Sequence, residues 1–231
     1  MPSLDWNRRW GSDCAHQIKK QGLRHYGDQW GDPAAPLLRR WLGVLTGKAR
    51  FRNLHRVARD YVVPYAKPGS VCLEIGPGGG RWTQFLVGAR ELYLVDLNRE
   101  FFDYLAERFP EAAPRMRFYQ TPGFDLAVAP DATVDFVFSF GTFVHIEPDG
   151  IDAYLAEIHR ALRPGGIATL QYADKTKPRG RDNADFSDMN PARMEALAAA
   201  RGFRIRAHDT KLLLHSSVVV LERELRSSAG A

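Results

Sequence analysis

The chain has 231 residues, of which 45% are hydrophobic, 11% aromatic and 26% charged. This composition is that of an ordinary globular protein, and it excludes a disordered, collagen-like or coiled-coil chain. No apolar run approaches the roughly 18 residues that a membrane span needs, and the first residues lack the apolar core of a signal peptide. The two cysteines, Cys14 and Cys72, lie far apart and favour neither a disulfide framework nor a zinc site. We therefore predict a cytoplasmic protein.

Positive charge is concentrated at the start of the chain. Residues 1–70 contain 13 lysines and arginines against 5 acidic residues, a net charge of +8, whereas the remainder carries −3. Four of the five tryptophans also lie in this first stretch. We therefore divide the chain into a basic leader at residues 1–69, predicted to be mostly helical, and a near-neutral body at residues 70–231.

Short apolar runs and helical stretches then alternate along the chain. Helices are predicted at residues 33–45 and 51–63 of the leader, and at 81–87, 99–109, 149–162 and 191–200 of the body, the last capped by Asn190. Strands are predicted at 71–75, 92–96, 116–119, 133–140, 167–172, 203–207 and 212–221, with a turn at 162–166. This order predicts an α/β fold: a Rossmann-like, seven-stranded, mostly parallel sheet with helices on both faces and an antiparallel final hairpin.

A glycine-rich turn joins the first predicted strand of the body to the segment that follows it. It reads Glu74-Ile-Gly-Pro-Gly-Gly-Gly80, and glycine lets a backbone approach a ligand closely because no Cβ intervenes. Arg81 stands where the dinucleotide fingerprint has its third glycine, which argues against a pyrophosphate. Asp96, at the tip of the next strand, can accept both hydroxyls of a ribose, and Glu74 could hold a cationic amine. The pair predicts a ligand that is both nucleoside and amino acid; a purely structural turn and a helix-capping Asp96 are the alternatives.

From residue 70 onward the chain resembles the class I S-adenosylmethionine-dependent methyltransferases. The resemblance rests on Glu74-x-Gly76-x-Gly78-x-Gly80, on Asp96, on the aromatic fourth strand and on the Leu-Arg-Pro-Gly-Gly turn at 162–166. It implies an enzyme with S-adenosylmethionine as cofactor, its methionine part on Glu74 and the glycine loop and its ribose on Asp96. It also implies contacts along the adenine and the methyl path from Leu97, Gly123, Phe124, Ser139 and Phe140.

The chain departs from the family in the loop after the third strand. The acidic side chain that usually reaches the adenine amine is replaced here by Gln120 or Thr121, and Asp125 comes later. The fourth strand is followed by Ser-Phe-Gly-Thr-Phe-Val-His-Ile-Glu, which lacks the Asp/Asn-Pro-Pro-Tyr sequence typical of enzymes that methylate nucleic-acid bases. The first departure concerns the contact with the adenine, and the second argues against methylation of a nucleic-acid base.

Methyl transfer to a hydroxyl needs an aligned nucleophile and a group that removes its proton. We predict His145 as this general base, because it lies just past the carboxyl end of the fourth strand, where open α/β sheets bind ligands; a structural histidine is the alternative. The leader would cover donor and acceptor. Candidate substrate contacts are Tyr26, Trp30, Arg39, Glu147, Tyr172 and Asp174, and an Mg²⁺ ion at Asp174 with His145 is a further hypothesis.

The leading prediction is an O-methyltransferase whose acceptor is a small molecule or a saccharide. An RNA or protein methyltransferase that uses the basic leader is a second hypothesis, although no RNA-binding module is recognisable and a nucleic-acid partner is not expected. A protein that binds S-adenosylmethionine without catalysis is a third. A homo-oligomer is compatible with each of them.

Overall fold

The computed structural model describes residues 25, 27, 30–38 and 50–224, and of residues 50–52 it describes the backbone. The predicted leader helix does not begin at residue 33, because residues 33–34 form a turn and helical backbone appears only at 37–38; residues 39–45 lie outside the described part of the chain. The second leader helix is present: α1 spans Arg50–Val57 and continues as one π-helical turn over Ala58–Val62.

Seven strands form one sheet in the order β3-β2-β1-β4-β5-β7-β6. The first five run parallel, whereas β7 pairs antiparallel with both β5 and β6. The predicted fold class and its closing hairpin are therefore confirmed. The strands are β1 (Val71–Ile75), β2 (Glu91–Asp96), β3 (Met116–Gln120), β4 (Val134–Ser139), β5 (Leu162–Ala173), β6 (Phe203–Asp209) and β7 (Ser216–Arg223).

Four further helices accompany the sheet within residues 50–224. They are α2 (Glu100–Arg108), α3 (Pro148–Ala161), the short α4 (Pro178–Arg181) and α5 (Pro191–Ala200). The Asn190 side chain caps α5 as predicted, accepting a 2.9 Å hydrogen bond from the Arg193 backbone N–H. Within residues 50–224, 3₁₀ turns occupy Thr83–Phe85, Ala113–Arg115 and Phe143–His145. In the described part of the chain no helix has the length and apolar character of a membrane span.

Apolar side chains fill both faces of the sheet, so every residue of β1 is buried. One core cluster joins the sheet to α3 and α5 through residues such as Ile151 and Leu155. The other joins it to α1 and α2 through residues such as Val57 and Leu105. Covering both faces leaves the carboxyl edge of the parallel strands as the place for a ligand, at the switch point where β1 lies between β2 and β4.

The helix predicted at 81–87 is wrong. Only a 3₁₀ turn, Thr83–Phe85, forms there. The segment is too short to offset the cost of starting a helix, and it is rich in aromatic and β-branched residues. Trp82 and Leu86 are buried in the core cluster that contains α1 and α2, and the Thr83 hydroxyl donates to Glu74. These tertiary contacts fix the backbone of the segment in place of a regular helix.

Two predicted boundaries in the second half of the sheet also need correction. The turn expected at 162–166 is the first part of β5: the register passes from Val134↔Leu162 to Phe136↔Ile167, so the extra residues bulge out, with Gly165 at φ +76°. The last strand begins at Ser216 rather than at residue 212. Leu212 and Leu213 are buried before the strand begins. Their apolar character reflects burial in the core cluster that contains α1 and α2, and not strand pairing.

Candidate active site

The glycine loop follows β1 at the centre of the carboxyl edge. Gly76 has φ +72°, and a Cβ added there would lie 1.9 Å from the Thr142 hydroxyl oxygen. Gly80 has φ +80°, and its added Cβ would lie 2.7 Å from Leu105 Cδ2. Glycine is therefore required at both positions by backbone conformation and by close packing. Gly78 contacts the neighbouring strand instead, through its backbone N–H.

Glu74 lies beneath this loop and is 2% exposed. Its carboxylate accepts a 2.6 Å hydrogen bond from the Thr83 hydroxyl. Burial raises the pKa of Glu74 to about 8, since the charged form loses its hydration there. The site thus holds a carboxyl group that gains from the arrival of a cation.

Asp96 ends β2 on the other side of the loop and is 8% exposed. Its two carboxylate oxygens accept from the Gly78 N–H at 3.3 Å and from the Asn98 N–H at 2.9 Å. Burial raises the pKa of Asp96 to about 6. The helix-capping alternative is wrong, because α2 begins at Glu100 with Arg99 as its N-cap residue and no side-chain cap. Asp96 instead joins the glycine loop to the end of β2.

The residues predicted beside the adenine lie around the loop after β3. The Gln120 side-chain amide donates to the Leu97 carbonyl at 3.0 Å, which links the ends of β3 and β2. The Gly123 carbonyl accepts from the Tyr154 hydroxyl at 3.1 Å, and the Phe124 side chain is 45% exposed. Asp125 accepts from the hydroxyls of Tyr119 and Thr121, at 2.6 and 3.0 Å, so that carboxylate shapes the loop itself.

The end of β4 forms the opposite wall. The buried Ser139 hydroxyl donates to the Ile75 carbonyl at 2.8 Å and so joins β4 to β1. The Phe140 ring packs against Trp82 with a centroid separation of 4.5 Å. Gly141 has φ +88°, and its N–H donates to the Gln171 side chain at 2.7 Å. Of the two residues predicted along the methyl path, Ser139 links β4 to β1 through its hydroxyl, and Phe140 packs its ring on Trp82.

Arg81 occupies a cluster of aromatic rings that the sequence analysis did not anticipate. Its Cζ lies 5.9 Å from the Trp30 ring, 5.8 Å from Trp82 and 5.7 Å from Phe140. Its Nη1 also donates to the Gly31 carbonyl at 3.4 Å. Cation–π contacts of this kind hold a guanidinium in a defined position. The cluster thus joins the leader, the glycine loop and the end of β4.

Two further contacts bring leader residues to this side of the sheet. The Gln84 amide donates to Asp32 at 3.4 Å, and His25 Nδ1 pairs with the Tyr104 hydroxyl on α2 at 2.8 Å. Of the leader residues predicted to contact substrate, Trp30 is in the Arg81 cluster, while Tyr26 and Arg39 lie outside the described residues.

His145 ends the 3₁₀ turn that follows β4. Its Nδ1 lies 2.9 Å from the Asp185 carbonyl oxygen, and its ring packs edge-to-face on Phe186 at 5.5 Å. Because a carbonyl only accepts, Nδ1 carries the hydrogen and Nε2 carries the lone pair. Burial lowers the pKa of His145 and thereby favours the neutral ring.

The other predicted substrate contacts serve the framework in this structure. Tyr172 is fully buried, and its hydroxyl pairs with His208 Nε2 at 2.5 Å. Asp174 is also buried, bonded to the hydroxyls of Thr176 at 2.5 Å and Ser217 at 2.7 Å. Glu147 accepts from the Asp188 N–H at 3.3 Å and so supports the loop that carries Asp185. The sequence pattern of β5 does not reveal these contacts, because the partners His208 and Ser217 come from β6 and β7.

The Mg²⁺ hypothesis finds no suitable set of ligands in the described part of the chain. No group of three or more His, Cys, Asp or Glu side chains there could hold a metal ion. Asp174 is engaged with Lys177 as well as with two hydroxyls, and His145 Nδ1 is bonded to a carbonyl. We therefore derive no catalytic step through a metal.

Comparison with known proteins agrees with the geometry of the glycine loop. Residues 72–166 match a family model described as "Methyltransferase domain". A Burkholderia thailandensis 1,6-didemethyltoxoflavin-N1-methyltransferase, solved with that acceptor and S-adenosylhomocysteine, is 26% identical, with a TM-score of 0.55 over 83% of this chain and 93% of that one.

Two other solved structures share the fold at lower identity. The magnesium protoporphyrin IX methyltransferase of Synechocystis, solved with S-adenosylhomocysteine, is 14% identical and has a TM-score of 0.62 over 95% of this chain and 97% of that one. A Pyrococcus horikoshii protein is 19% identical, with a TM-score of 0.62 over 85% and 96%. Residues 72–166 thus carry a methyltransferase domain, and the chain has the class I methyltransferase fold and is an enzyme that uses S-adenosylmethionine as its methyl donor.

Proposed function

We propose that this enzyme methylates a hydroxyl group of a small-molecule acceptor, with His145 as the general base. The observation that carries the proposal is the hydrogen bond between His145 Nδ1 and the Asp185 carbonyl. It fixes the tautomer with the lone pair on Nε2, and the lowered pKa keeps the ring neutral near pH 7. A neutral imidazole at this edge of the sheet is suited to accept a proton from a hydroxyl.

The donor is proposed to lie across the carboxyl ends of β2, β1 and β4. Asp96 would accept the ribose hydroxyls, with Leu97, Gly123 and Phe124 near the adenine. Glu74, Gly76, Gly78 and Gly80 would surround the methionine part, and Ser139 and Phe140 would border the sulfonium. The strand order and the contact between Asp96 and the Gly78 N–H support this proposed placement.

Methyl transfer then needs few groups from the protein. When bound, the donor would supply an activated methyl group, and the electrons of the C–S bond would pass to its sulfur as the acceptor oxygen forms the new bond to the methyl carbon. His145 Nε2 would take the hydroxyl proton, while the Asp185 carbonyl holds the ring in orientation. The glycine loop and the end of β4 would fix the line of attack.

The leader, residues 1–69, is proposed to close over donor and acceptor as a helical lid on the body at 70–231. The contacts of Trp30 and Gly31 with Arg81 support this arrangement. Trp30 is 40% exposed and leaves ring surface for a flat acceptor or a sugar ring. Within the small-molecule class, a saccharide acceptor remains one proposal, with Tyr26 and Arg39 as further candidate contacts.

A ring nitrogen is a second candidate nucleophile. The Burkholderia relative is named for N1 methylation of 1,6-didemethyltoxoflavin. A heteroaromatic N–H also requires deprotonation, so His145 could serve the same role for it. The two acceptors differ in the methylated atom and share the base.

The test measures S-adenosylhomocysteine formation against a panel of catechols, monosaccharides and 1,6-didemethyltoxoflavin. With any acceptor that is turned over, His145→Ala should lower kcat by about 10²- to 10⁴-fold with donor affinity unchanged. The wild-type kcat should fall at acidic pH with a pKa below 6.5, the usual histidine value, because protonation removes the lone pair. His159→Ala, on the last turn of α3, is the matched control.

Two results would reject the proposal. Near-wild-type turnover by His145→Ala would remove the base from the mechanism. Methyl transfer to RNA or protein, but to none of the small molecules, would reject the acceptor class.

A further inference from the structure

Arg81 is held at the point where the glycine loop, the end of β4 and the leader meet. Trp30, Trp82 and Phe140 surround its guanidinium at 5.7–5.9 Å. In the sequence, Arg81 stands where the dinucleotide fingerprint has its third glycine. The three rings thus hold its guanidinium beside the glycine loop, where the donor is proposed to bind.

The strand order places Arg81 near one particular end of the donor. Asp96 lies at the end of β2, and Phe140 follows β4, on the opposite side of β1. A donor whose ribose lies on Asp96 must extend across the glycine loop toward β4. Its amino-acid end therefore reaches the cluster around Arg81. This step rests on the donor placement in the proposed function.

The charges at that end of the site are complementary to an amino acid. Arg81 and Arg108 are the positive charges that act to lower the pKa of Glu74, although burial outweighs them. The methionine part of the donor carries an ammonium and a carboxylate. Glu74 suits the ammonium, and a nearby guanidinium suits the carboxylate, which it can bind with two parallel hydrogen bonds.

We propose that Arg81 binds the α-carboxylate of S-adenosylmethionine, and that Trp30 and Phe140 hold its guanidinium in place for this contact. Arg108 is the other arginine near Glu74, but it packs on Phe109 at 5.1 Å and donates to the Gly79 carbonyl. Arg108, on α2, thus supports the backbone of the glycine loop, whereas Arg81 is the residue that binds the donor's carboxylate.

The experiment compares three ligands by calorimetry on the full chain. S-adenosylmethionine has both the ammonium and the carboxylate, decarboxylated S-adenosylmethionine keeps only the ammonium, and 5′-methylthioadenosine lacks both. For Arg81→Gln we expect the Kd for S-adenosylmethionine to rise by about 10- to 100-fold, and the other two Kd values to stay within about 3-fold. Arg81→Lys should lose less, because it keeps the charge without the planar fork.

Matched variants separate this role from its alternatives. Glu74→Gln should weaken S-adenosylmethionine and its decarboxylated analogue alike, because both carry the ammonium. Arg108→Gln should show no selectivity among the three ligands. If Arg81→Gln does not fold, the same comparison is made with Arg81→Lys.

An equal loss for all three ligands, or no loss for S-adenosylmethionine, would overturn the assignment of Arg81. Failure of the wild-type chain to bind any of the three would instead overturn the donor placement on which the inference rests.

Discussion

Replacing Glu74 by Gln should stabilise the donor-free protein, and only above the pH at which a free glutamate ionises. Glutamine has nearly the same shape as glutamate and keeps an oxygen that accepts from the Thr83 hydroxyl. It removes the cost of a carboxyl group whose pKa rises from 4.5 to about 8 on burial. The variant therefore changes the charge at this position and little else.

The size of the effect follows from proton linkage. Because the folded-state pKa is raised, the unfolded chain releases its Glu74 proton first, and stability falls as pH rises from 4.5 to about 8. At 1.36 kcal/mol per pH unit, the loss is about 3 kcal/mol at pH 7 and about 5 kcal/mol above pH 8. In Glu74→Gln this loss is absent, whereas below pH 4.5 the two proteins should be equally stable.

Thermal and urea unfolding of both proteins at pH 5, 7 and 8.5, without donor, measures the difference. At pH 7 the variant should melt about 6–12 °C higher, given about 2–4 °C per kcal/mol for a chain of this size. Other titrating groups cancel in the comparison, and Glu107→Gln, an exposed position on α2, controls for the loss of one formal charge. A melting difference that does not change with pH would refute the reasoning.

Two further predictions concern the donor site. The affinity for 5′-methylthioadenosine, which has no ammonium, should fall as pH drops through about 6, because Asp96 then loses the charge that accepts the ribose hydroxyls; Asp96→Asn should bind weakly at every pH, and an unchanged affinity would contradict the ribose contact. Gly76→Ala should destabilise the fold by about 3 kcal/mol or more, because of its positive φ and the clash with Thr142. Gly88→Ala, where an added Cβ meets nothing within 4 Å, is the control, and equal melting temperatures would refute the steric argument.

The fold could be predicted because its signals are local. Apolar runs such as those of β1 and β4 have strand length and sit between turn residues, and the spacing of Ile151, Leu155 and Ile158 marks the buried side of α3. The Asn-Pro pair at the start of α5 is equally local. The failures arose where tertiary contacts override the local pattern. Burial of Trp82 favours a short 3₁₀ turn where a helix is predicted at 81–87. Pairing of Leu162 with Val134 makes the turn predicted at 162–166 part of β5.

The candidate site was predictable only in part. The glycines, Glu74 and Asp96 are recognisable because their spacing follows from the strand–turn–strand geometry. The cluster of Arg81 with Trp30 and Phe140 unites distant segments, and no spacing rule connects them. Tyr172 and Asp174 lie at the carboxyl end of β5, as predicted. Whether such a side chain faces a ligand depends on which other residues pack against it. Here His208 and Ser217 of the final hairpin occupy their polar groups.

The close approach of Gly76 to Thr142 has a consequence for how such an enzyme can change its acceptor. Thr142 directly precedes the turn that carries His145, so the steric contact sets the separation between the glycine loop and the imidazole. In the proposed function, the residues that would choose an acceptor lie elsewhere, in the leader. The leader can vary in length and composition while this contact and the Asp185 carbonyl keep the proposed reaction geometry constant.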